Sequence, residues 1–233
     1  MSTAVVTGGS RGLGLALIRE LAARRWNVIV DARDRDALID AVNGLPDRTR
    51  VIPLSGDVAD EAHRRDLVQA VRRLGDLDLL VNNASVLGPS PLPPLDRHPM
   101  NELEQVFSVN VLAPLALIQS LVGALRATRG SIINVTSDAA TEPYEGWGGY
   151  GSSKAALDQA TRVLAIEQPD LRVYAFDPGD MRTAMQQAAF PNEDISDRPQ
   201  PEAVVPALMR LISERPPSGR YRASDLPAVK VGT

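Results

Sequence analysis

The stretch Thr7–Gly14, TGGSRGLG, decides the fold. It follows the short apolar segment Thr3–Val6 and opens the amphipathic segment Gly12–Arg25, whose apolar residues recur at helical spacing. A glycine-rich turn between a strand and a helix lets the backbone approach a phosphate at the helix N-terminus. The spacing departs from the common G-x-G-x-x-G pattern, because Leu17 stands three residues after Gly14. The turn nevertheless predicts a nucleotide site after a first strand.

Beyond this turn, short apolar segments alternate with helical patterns. The strand candidates are residues 3–6, 27–30, 50–54, 77–81, 131–135, 171–176 and 219–223, and the helix candidates are 12–25, 34–43, 60–74, 100–128, 150–168 and 201–214. This alternation predicts an α/β fold: a doubly wound, Rossmann-like parallel sheet with helices on both faces. We expect one domain over residues 1–233, with a possible kink at Pro114, a substrate loop at about 179–199 and a C-terminal tail at about 224–233.

Composition and charge exclude several classes of protein. The 233 residues include no cysteine, which excludes a disulfide scaffold and a thiolate nucleophile. A formal charge of −4 argues against nucleic acid as a partner, because phosphate binding needs a basic face. The chain has no uninterrupted apolar run of membrane-spanning length and no signal-peptide pattern, so we expect a cytoplasmic protein without a membrane segment. His63 and His98 are expected at the solvated surface, and no metal site is predicted.

A tyrosine and a lysine four residues apart predict acid–base chemistry. Tyr150 and Lys154 share one helix face, and Lys154 is one of only two lysines among 25 basic residues. A phenol has a pKa near 10, and a nearby cation lowers it by favouring the phenolate. Ser137 follows the strand candidate 131–135, where its hydroxyl would reach the same substrate oxygen. Each feature alone is common on protein surfaces; their combination with the glycine turn indicates a catalytic site.

The end of the second strand bears on the choice of coenzyme. Asp31 lies about 20 residues after the glycines, which favours a ribose 2′-hydroxyl and therefore NAD. Arg33 follows two residues later and Arg11 stands inside the glycine turn, and two guanidinium groups there favour a 2′-phosphate and therefore NADP. We therefore predict NADP(H) as the coenzyme, with NAD(H) as the alternative.

These motifs resemble those of the short-chain dehydrogenase/reductase family over nearly the whole chain. TGGSRGLG resembles the family's TGxxxGxG loop, and DPGDMRT at 177–183 resembles its PGxxxT segment. NNAS at Asn82–Ser85 resembles NNAG, with Ser85 in place of the glycine. Asp57 in SGDV, Asn110 in SVNV, and Ser137 with the Tyr150–Lys154 pair stand at the matching positions.

The resemblance implies an enzyme that transfers a hydride between NADP(H) and a small carbonyl or secondary alcohol. The implied catalytic residues are Asn110, Ser137, Tyr150 and Lys154. The implied coenzyme-binding residues are Gly8, Ser10, Arg11, Gly12, Leu13, Gly14, Arg33, Asp57, Val58, Asn83, Ala84, Tyr150, Lys154, Pro178, Gly179 and Thr183.

The resemblance also implies roles and an assembly. Tyr150 would exchange a proton with the substrate oxygen, Lys154 would lower its pKa and hold the nicotinamide ribose, Ser137 would orient the carbonyl, and Asn110 would fix a backbone bend and a water. Relatives pair helices 100–128 and 150–168 between subunits, so a homodimer or homotetramer is expected.

Two questions stay open at this point. Trp147, Met181, Met185 and Phe190 are candidates to line an apolar substrate pocket, or else to pack in the core. The alternative function is a dinucleotide-binding sensor or scaffold without catalysis, against which the intact tetrad of Asn110, Ser137, Tyr150 and Lys154 speaks.

Overall fold

A computed structural model describes residues 2–226 of the chain. Its centre is a seven-stranded sheet in which every pair of neighbouring strands is parallel. The strand order is β3-β2-β1-β4-β5-β6-β7. The strands are β1 (Thr3–Val6), β2 (Asn27–Ala32), β3 (Val51–Ser55), β4 (Leu79–Asn82), β5 (Ser131–Val135), β6 (Arg172–Asp177) and β7 (Gly219–Arg222). The predicted doubly wound parallel sheet is confirmed.

Helices cover both faces of the sheet. They are α1 (Gly12–Ala23), α2 (Arg35–Asn43), α3 (Glu61–Leu74), α4 (Met100–Phe107), α5 (Ala113–Thr128), α6 (Gly148–Glu167), α7 (Ala184–Ala189) and α8 (Val205–Glu214). Helices α1, α2 and α8 pack on one face of the sheet, and α3 and α5 pack on the other. The alternation of side chains along β2 divides its apolar residues between the two faces: Val28 and Val30 point to the first, and Ile29 points to the second.

The sheet places one edge where a ligand can bind. Strand β1 lies between β2 and β4, so the chain winds outward from β1 in both directions. Ligands of doubly wound folds bind beyond the carboxyl ends of the strands at the point where strand order reverses. In this chain that point is the pair of turns that follow β1 and β4, and the turns after β2, β5 and β6 open on the same side.

The long helical segment from 100 to 128 is irregular one turn before the expected proline. A π-helical turn at Ser108–Leu112 joins α4 to α5. Pro114 has no N–H to donate to the carbonyl of Asn110, four residues before it, so the irregularity falls on that preceding turn rather than at the proline itself. The irregularity of this segment therefore lies at Ser108–Leu112, before Pro114.

The same segment is the one stretch of the described chain whose helix is long and apolar enough to cross a membrane. Met100–Thr128 meets this description by length and composition alone, and half of its most apolar stretch is buried inside the protein. Leu117, Leu121 and Leu125 on this segment are buried in the core that covers one face of the sheet. Burial of this kind is also typical of the core helix of a globular fold.

Candidate active site

The glycine turn is held tightly between β1 and the end of β4. Thr7 Oγ1 accepts hydrogen bonds from the backbone N–H groups of Asn83 and Ala84, both at 3.0 Å. A Cβ on Gly14 would lie 2.3 Å from the carbonyl oxygen of Gly8, so only glycine lets α1 pack this closely. Gly12 has a φ of +57°, and nothing lies within 3.5 Å of its absent Cβ. The turn therefore offers bare backbone to a ligand.

The N-terminus of α1 is open toward this turn. Arg11 precedes the helix with an extended backbone, and its side chain does not cap the helix. The first N–H groups of a helix have no partner within the helix and favour an anion. Ser10, Arg11 and Leu13 line the cleft that begins at this point. The arrangement fits a phosphate group of a dinucleotide.

Asp31 lines the cleft, and its carboxylate has hydrogen-bond partners within the protein. Its Oδ1 accepts a hydrogen bond from Gly8 N at 2.7 Å, and its Oδ2 lies 3.1 Å from His63 Nε2. Both side chains are almost completely buried, with exposed fractions of 2% for Asp31 and 6% for His63. The expected solvated position of His63 is wrong. Its sequence neighbours are charged, but His63 belongs to the buried face of α3, which packs on the sheet.

Two arginines remain at the outer side of this region. Arg11 and Arg33 are exposed and both line the cleft. Asp57 and Val58, which follow β3, continue the lining. Asp57 Oδ1 accepts a hydrogen bond from Ala59 N at 2.8 Å, which shapes the turn at this end. The exposed positive charges therefore stand at the rim, and the carboxylate of Asp31 is buried.

Lys154 and Tyr150 project from α6 into the same cleft. Lys154 Nζ donates a hydrogen bond to Val135 O at 2.8 Å and lies 5.5 Å from the centre of the Tyr150 ring. Burial lowers the pKa of Lys154 to about 8, with a smaller opposing effect from Asp158. Burial raises the pKa of Tyr150, and a hydrogen bond with Ser85 works against that rise. At neutral pH, Tyr150 is a phenol with a proton to give.

Ser137 lies two residues after the end of β5 and lines the same cleft. Its hydroxyl donates a hydrogen bond to Asp138 Oδ1 at 2.9 Å and accepts one from Ala139 N at 3.2 Å. Ser137, Asp138, Tyr150 and Lys154 all line the cleft. The structure thus brings together the three side chains that the sequence pattern singled out, on two separate elements.

Asn110 is bonded on every side by the protein. Its Oδ1 accepts hydrogen bonds from Val86 N at 2.9 Å and Ser85 Oγ at 3.1 Å. Its Nδ2 donates to Val86 O at 2.9 Å and to Ser153 Oγ at 3.0 Å. Asn110 therefore ties the turn after β4 to helix α6, which carries Tyr150.

The segment after β6 closes the cleft over the glycine turn. Gly179 has a φ of +70°, and its N–H donates to Asp177 Oδ1 at 3.0 Å. Thr183 caps α7 through a hydrogen bond from Gln186 N, and its methyl group would lie 3.6 Å from a Cβ on Gly12. Pro178, Gly179 and Thr183 all line the cleft. Sequence patterns did not predict α7, which is one and a half turns long.

A buried ionic network supports the site from behind. Arg220 on β7 contacts Asp158 Oδ2 and Asp177 Oδ2, both at 3.0 Å, and donates to the carbonyl of Ser137 at 2.9 Å. It links α6, β6 and the end of β5, which carry Tyr150, the closing segment and Ser137. No sequence motif pointed to Arg220, because its partners lie 43 to 83 residues away.

The substrate end of the cleft is largely apolar. The cleft has a volume of about 1070 Å³ and is lined by Trp147, Met181 and Met185. The same three residues also pack against buried apolar clusters, so both alternatives left open by the sequence apply to them. Phe190 packs on Trp147, with 5.9 Å between the ring centres. The expected surface position of His98 is wrong: it is 8% exposed and lies against Gly149, where a Cβ would come within 2.4 Å of its Nε2. Within residues 2–226, no group of three or more candidate ligands forms a metal site.

Sequence reasoning missed three polar residues of this region. Ser85, Asp138 and His63 each contact a predicted site residue. The signal for Ser85 was present, since it replaces the glycine of the NNAG-like motif. Asp138 directly follows Ser137, but adjacency along the chain does not show that a side chain turns back into the site.

Comparison with known proteins identifies the family of the chain. Mouse sepiapterin reductase is 34% identical over 200 residues, covering 79% of this chain and 76% of its own. Diacetyl reductase [(S)-acetoin forming] of Staphylococcus epidermidis is 30% identical over 189 residues, covering 78% and 72%. A short chain dehydrogenase structure from Shigella flexneri, complexed with NADP, superposes with a TM-score of 0.89 at 27% identity, covering 96% and 97%. Residues 2–194 match the short chain dehydrogenase family, and the chain belongs to that family of oxidoreductases.

Proposed function

We propose that this protein is an NADP(H)-dependent oxidoreductase that reduces a carbonyl group through Ser137, Tyr150 and Lys154, with Asn110 positioning them. The observation that carries this proposal is that Ser137, from the turn after β5, lines one cleft with the glycine turn and with Tyr150 and Lys154 from α6. The names of the relatives support an oxidoreductase, and the intact set of four residues argues against a sensor without catalysis.

The chain's own residues supply positioning and the proton. When bound, NADPH supplies a hydride to the carbonyl carbon. Ser137 donates a hydrogen bond to the carbonyl oxygen, and Tyr150 gives that oxygen its proton as the hydride arrives. The ammonium group of Lys154 stabilises the phenolate that remains. Trp147, Met181 and Met185 exclude water from the reacting end.

The choice of NADP(H) over NAD(H) rests on the charges at the end of β2. Arg11 and Arg33 are free to contact a 2′-phosphate, which NAD lacks. Asp31, the residue that favoured NAD, lines the cleft but is buried, and its two oxygens already have Gly8 N and His63 as partners. The NADP complex of the Shigella flexneri relative supports the same choice.

The test is NADPH consumption with a panel of neutral ketones, diketones, aldehydes and quinones, run beside a coenzyme-binding titration. Diacetyl belongs in the panel, because one relative is named for reducing it. We expect turnover of at least one class. Coenzyme binding without turnover across the panel would favour the sensor and contradict the enzymatic proposal.

Activity should depend on pH through Lys154. Because the pKa of Lys154 is lowered to about 8, we expect kcat for carbonyl reduction to fall as pH rises through that value, since deprotonation removes the charge that stabilises the Tyr150 phenolate. The measurement is kcat at saturating NADPH from about pH 6 to pH 10. A flat profile over this range would contradict the role of the ammonium group.

A loss of folded protein caused by deprotonation of Lys154 would not explain a fall of kcat above pH 8. The pKa of Lys154 in the folded protein lies below its ordinary value of 10.5, so the unfolded chain binds more protons between the two values. The contribution of this group to stability therefore increases as pH rises from about 8 to 10.5. Thermal unfolding measured over the same pH range separates loss of charge from loss of fold.

We propose that the protein assembles as a homodimer or homotetramer through α5 and α6. Ile166 on α6 is 82% exposed, Leu112 before α5 is 60% exposed and Val163 is 42% exposed. We expect Ile166→Arg to lower the mass measured by light scattering at micromolar concentration. Ile39→Arg, on the distant helix α2, is the matched control and should leave the mass unchanged. A wild-type monomer under these conditions would overturn the proposal.

A further inference from the structure

The hydroxyl of Ser137 is committed to Asp138 in this structure. It donates to Asp138 Oδ1 at 2.9 Å, and a hydroxyl has a single hydrogen to donate. The same hydrogen is needed by the substrate carbonyl in the proposed reaction. When Ser137 turns to the substrate, Asp138 therefore loses one of its hydrogen-bond donors.

The other contacts hold Asp138 in place at the reacting end. Ala139 N donates to Oδ1 at 2.8 Å, and the hydroxyl of Tyr144 donates to Oδ2 at 2.9 Å. The carboxylate is partly buried and lines the cleft. A carboxylate has about four acceptor positions, and leaving one unpaired in a partly buried site is unfavourable. The position that Ser137 vacates lies directly beside the bound carbonyl and favours a donor from the substrate.

Cations that line the cleft do not neutralise Asp138. Arg11 and Arg33 stand at the other end, in the turns after β1 and β2. Lys154 donates to Val135 O, and Arg182 donates to Ser196 O. These four are the lysine and arginine residues of the cleft lining within residues 2–226. These hydrogen bonds leave the charges of Lys154 and Arg182 in place, but in the part of the chain that the structure describes none of the four cations forms an ion pair with Asp138, so a negative substituent beside the carbonyl would meet a carboxylate without an ion-pair partner.

We propose that the preferred substrates are neutral or cationic carbonyl compounds with an O–H or N–H donor on the carbon next to the carbonyl, and that Asp138 accepts that donor. Ser137 redirects its hydrogen bond from Asp138 to the carbonyl oxygen and keeps its proton, and the O–H or N–H donor of the substrate takes its place on Asp138. The proposal rests on the proposed function, since it places the carbonyl oxygen at Ser137 and Tyr150. Asp138 is thereby a specificity-determining residue.

Three aromatic ketones of similar size test this. 2-Hydroxyacetophenone carries the donor, acetophenone lacks it and phenylglyoxylate places a carboxylate at the same position. We expect kcat/KM to be highest for the hydroxyketone, with a gain over acetophenone of roughly tenfold or more, as for a hydrogen bond to a charged group. Phenylglyoxylate should be the poorest of the three.

Two variants separate the hydrogen bond from the intrinsic reactivity of the ketones. Asp138→Ala removes the acceptor of the substrate's hydrogen bond. The ratio of kcat/KM for 2-hydroxyacetophenone to that for acetophenone should therefore fall about tenfold below the wild-type ratio, toward the value set by the reactivity of the two ketones alone. Asp138→Asn keeps the shape and removes the charge, so it should relieve the discrimination against phenylglyoxylate. Glu142→Gln, an exposed carboxylate of the same loop that lies outside the cleft lining, is the matched control and should change neither ratio. Coenzyme affinity and thermal stability report on the fold of each variant.

The outcomes distinguish this inference from the proposed function. Equal kcat/KM for the hydroxyketone and acetophenone in the wild type, or an unchanged ratio in both Asp138 variants, overturns the role of Asp138 while reduction of ketones still stands. If Asp138→Ala does not fold, the phenylglyoxylate ratio of Asp138→Asn decides. Absence of turnover with the three ketones and with the wider panel overturns the proposed function itself.

Discussion

Tyr150→Phe should reduce kcat for carbonyl reduction by roughly two to four decades, the usual contribution of a general acid–base. The phenylalanine ring keeps the packing of a side chain that is 8% exposed and lies 5.7 Å, centre to centre, from the Trp147 ring. What is lost is the proton given to the substrate oxygen. Single-turnover measurement of NADPH oxidation isolates this step, and the affinity for NADPH should hardly change.

A second tyrosine provides the control. Tyr221 lies on β7, where its hydroxyl donates to Pro217 O at 2.8 Å, so Tyr221→Phe also removes one phenolic hydrogen bond. It should retain nearly all activity. If Tyr150→Phe also retains most of its activity, Tyr150 is not the proton donor and the proposed mechanism is wrong.

Arg33→Ala should reverse or narrow the preference for NADPH over NADH. A charge-assisted hydrogen bond from Arg33 to the 2′-phosphate has no counterpart with NADH, so its loss should weaken NADPH by roughly ten- to hundredfold and NADH little. Asp31 is a poor replacement for Arg33 with NADPH, because its negative charge attracts no phosphate and each of its oxygens already has a partner, Gly8 N or His63. The ratio of kcat/KM for the two coenzymes, in wild type and variant, is the measurement.

Arg35→Ala is the matched control, because Arg35 is exposed two residues further on and lies outside the cleft lining. It should leave the coenzyme ratio unchanged, so that general loss of positive charge is separated from loss of the phosphate contact. A wild-type enzyme that already prefers NADH would show that the interpretation of Arg11 and Arg33 is wrong.

Local sequence patterns were sufficient to predict the parallel sheet and the Tyr150–Lys154 pair. Parallel strands buried on both faces are continuously apolar, and β5, SIINV, is buried at every position, so its start and end were predicted exactly. The four-residue interval between Tyr150 and Lys154 is a property of one helix turn and needs no tertiary knowledge.

Contacts between distant segments were not predictable in the same way. His63 and Asp31 are 32 residues apart, and nothing in the charged sequence of α3 indicates that its histidine meets a buried carboxylate. The sequence predicted an irregularity at Pro114, but the π-helical turn lies at Ser108–Leu112. The carbonyl that loses its hydrogen bond to the proline belongs to Asn110, four residues earlier. The partners of Arg220 come from three elements, whose meeting depends on the completed sheet.

The packing of His63 has a consequence for how the coenzyme end of the cleft can change during evolution. A Cβ on Gly56 would lie 2.2 Å from His63 Nδ1, although the backbone at Gly56 does not require glycine by its φ angle. Any other residue at position 56 therefore displaces the imidazole from Asp31, and Asp31 in turn holds the N–H of Gly8. Positions 56 and 63 are thus epistatic: a larger residue at 56 is acceptable only after the histidine at 63 has been lost.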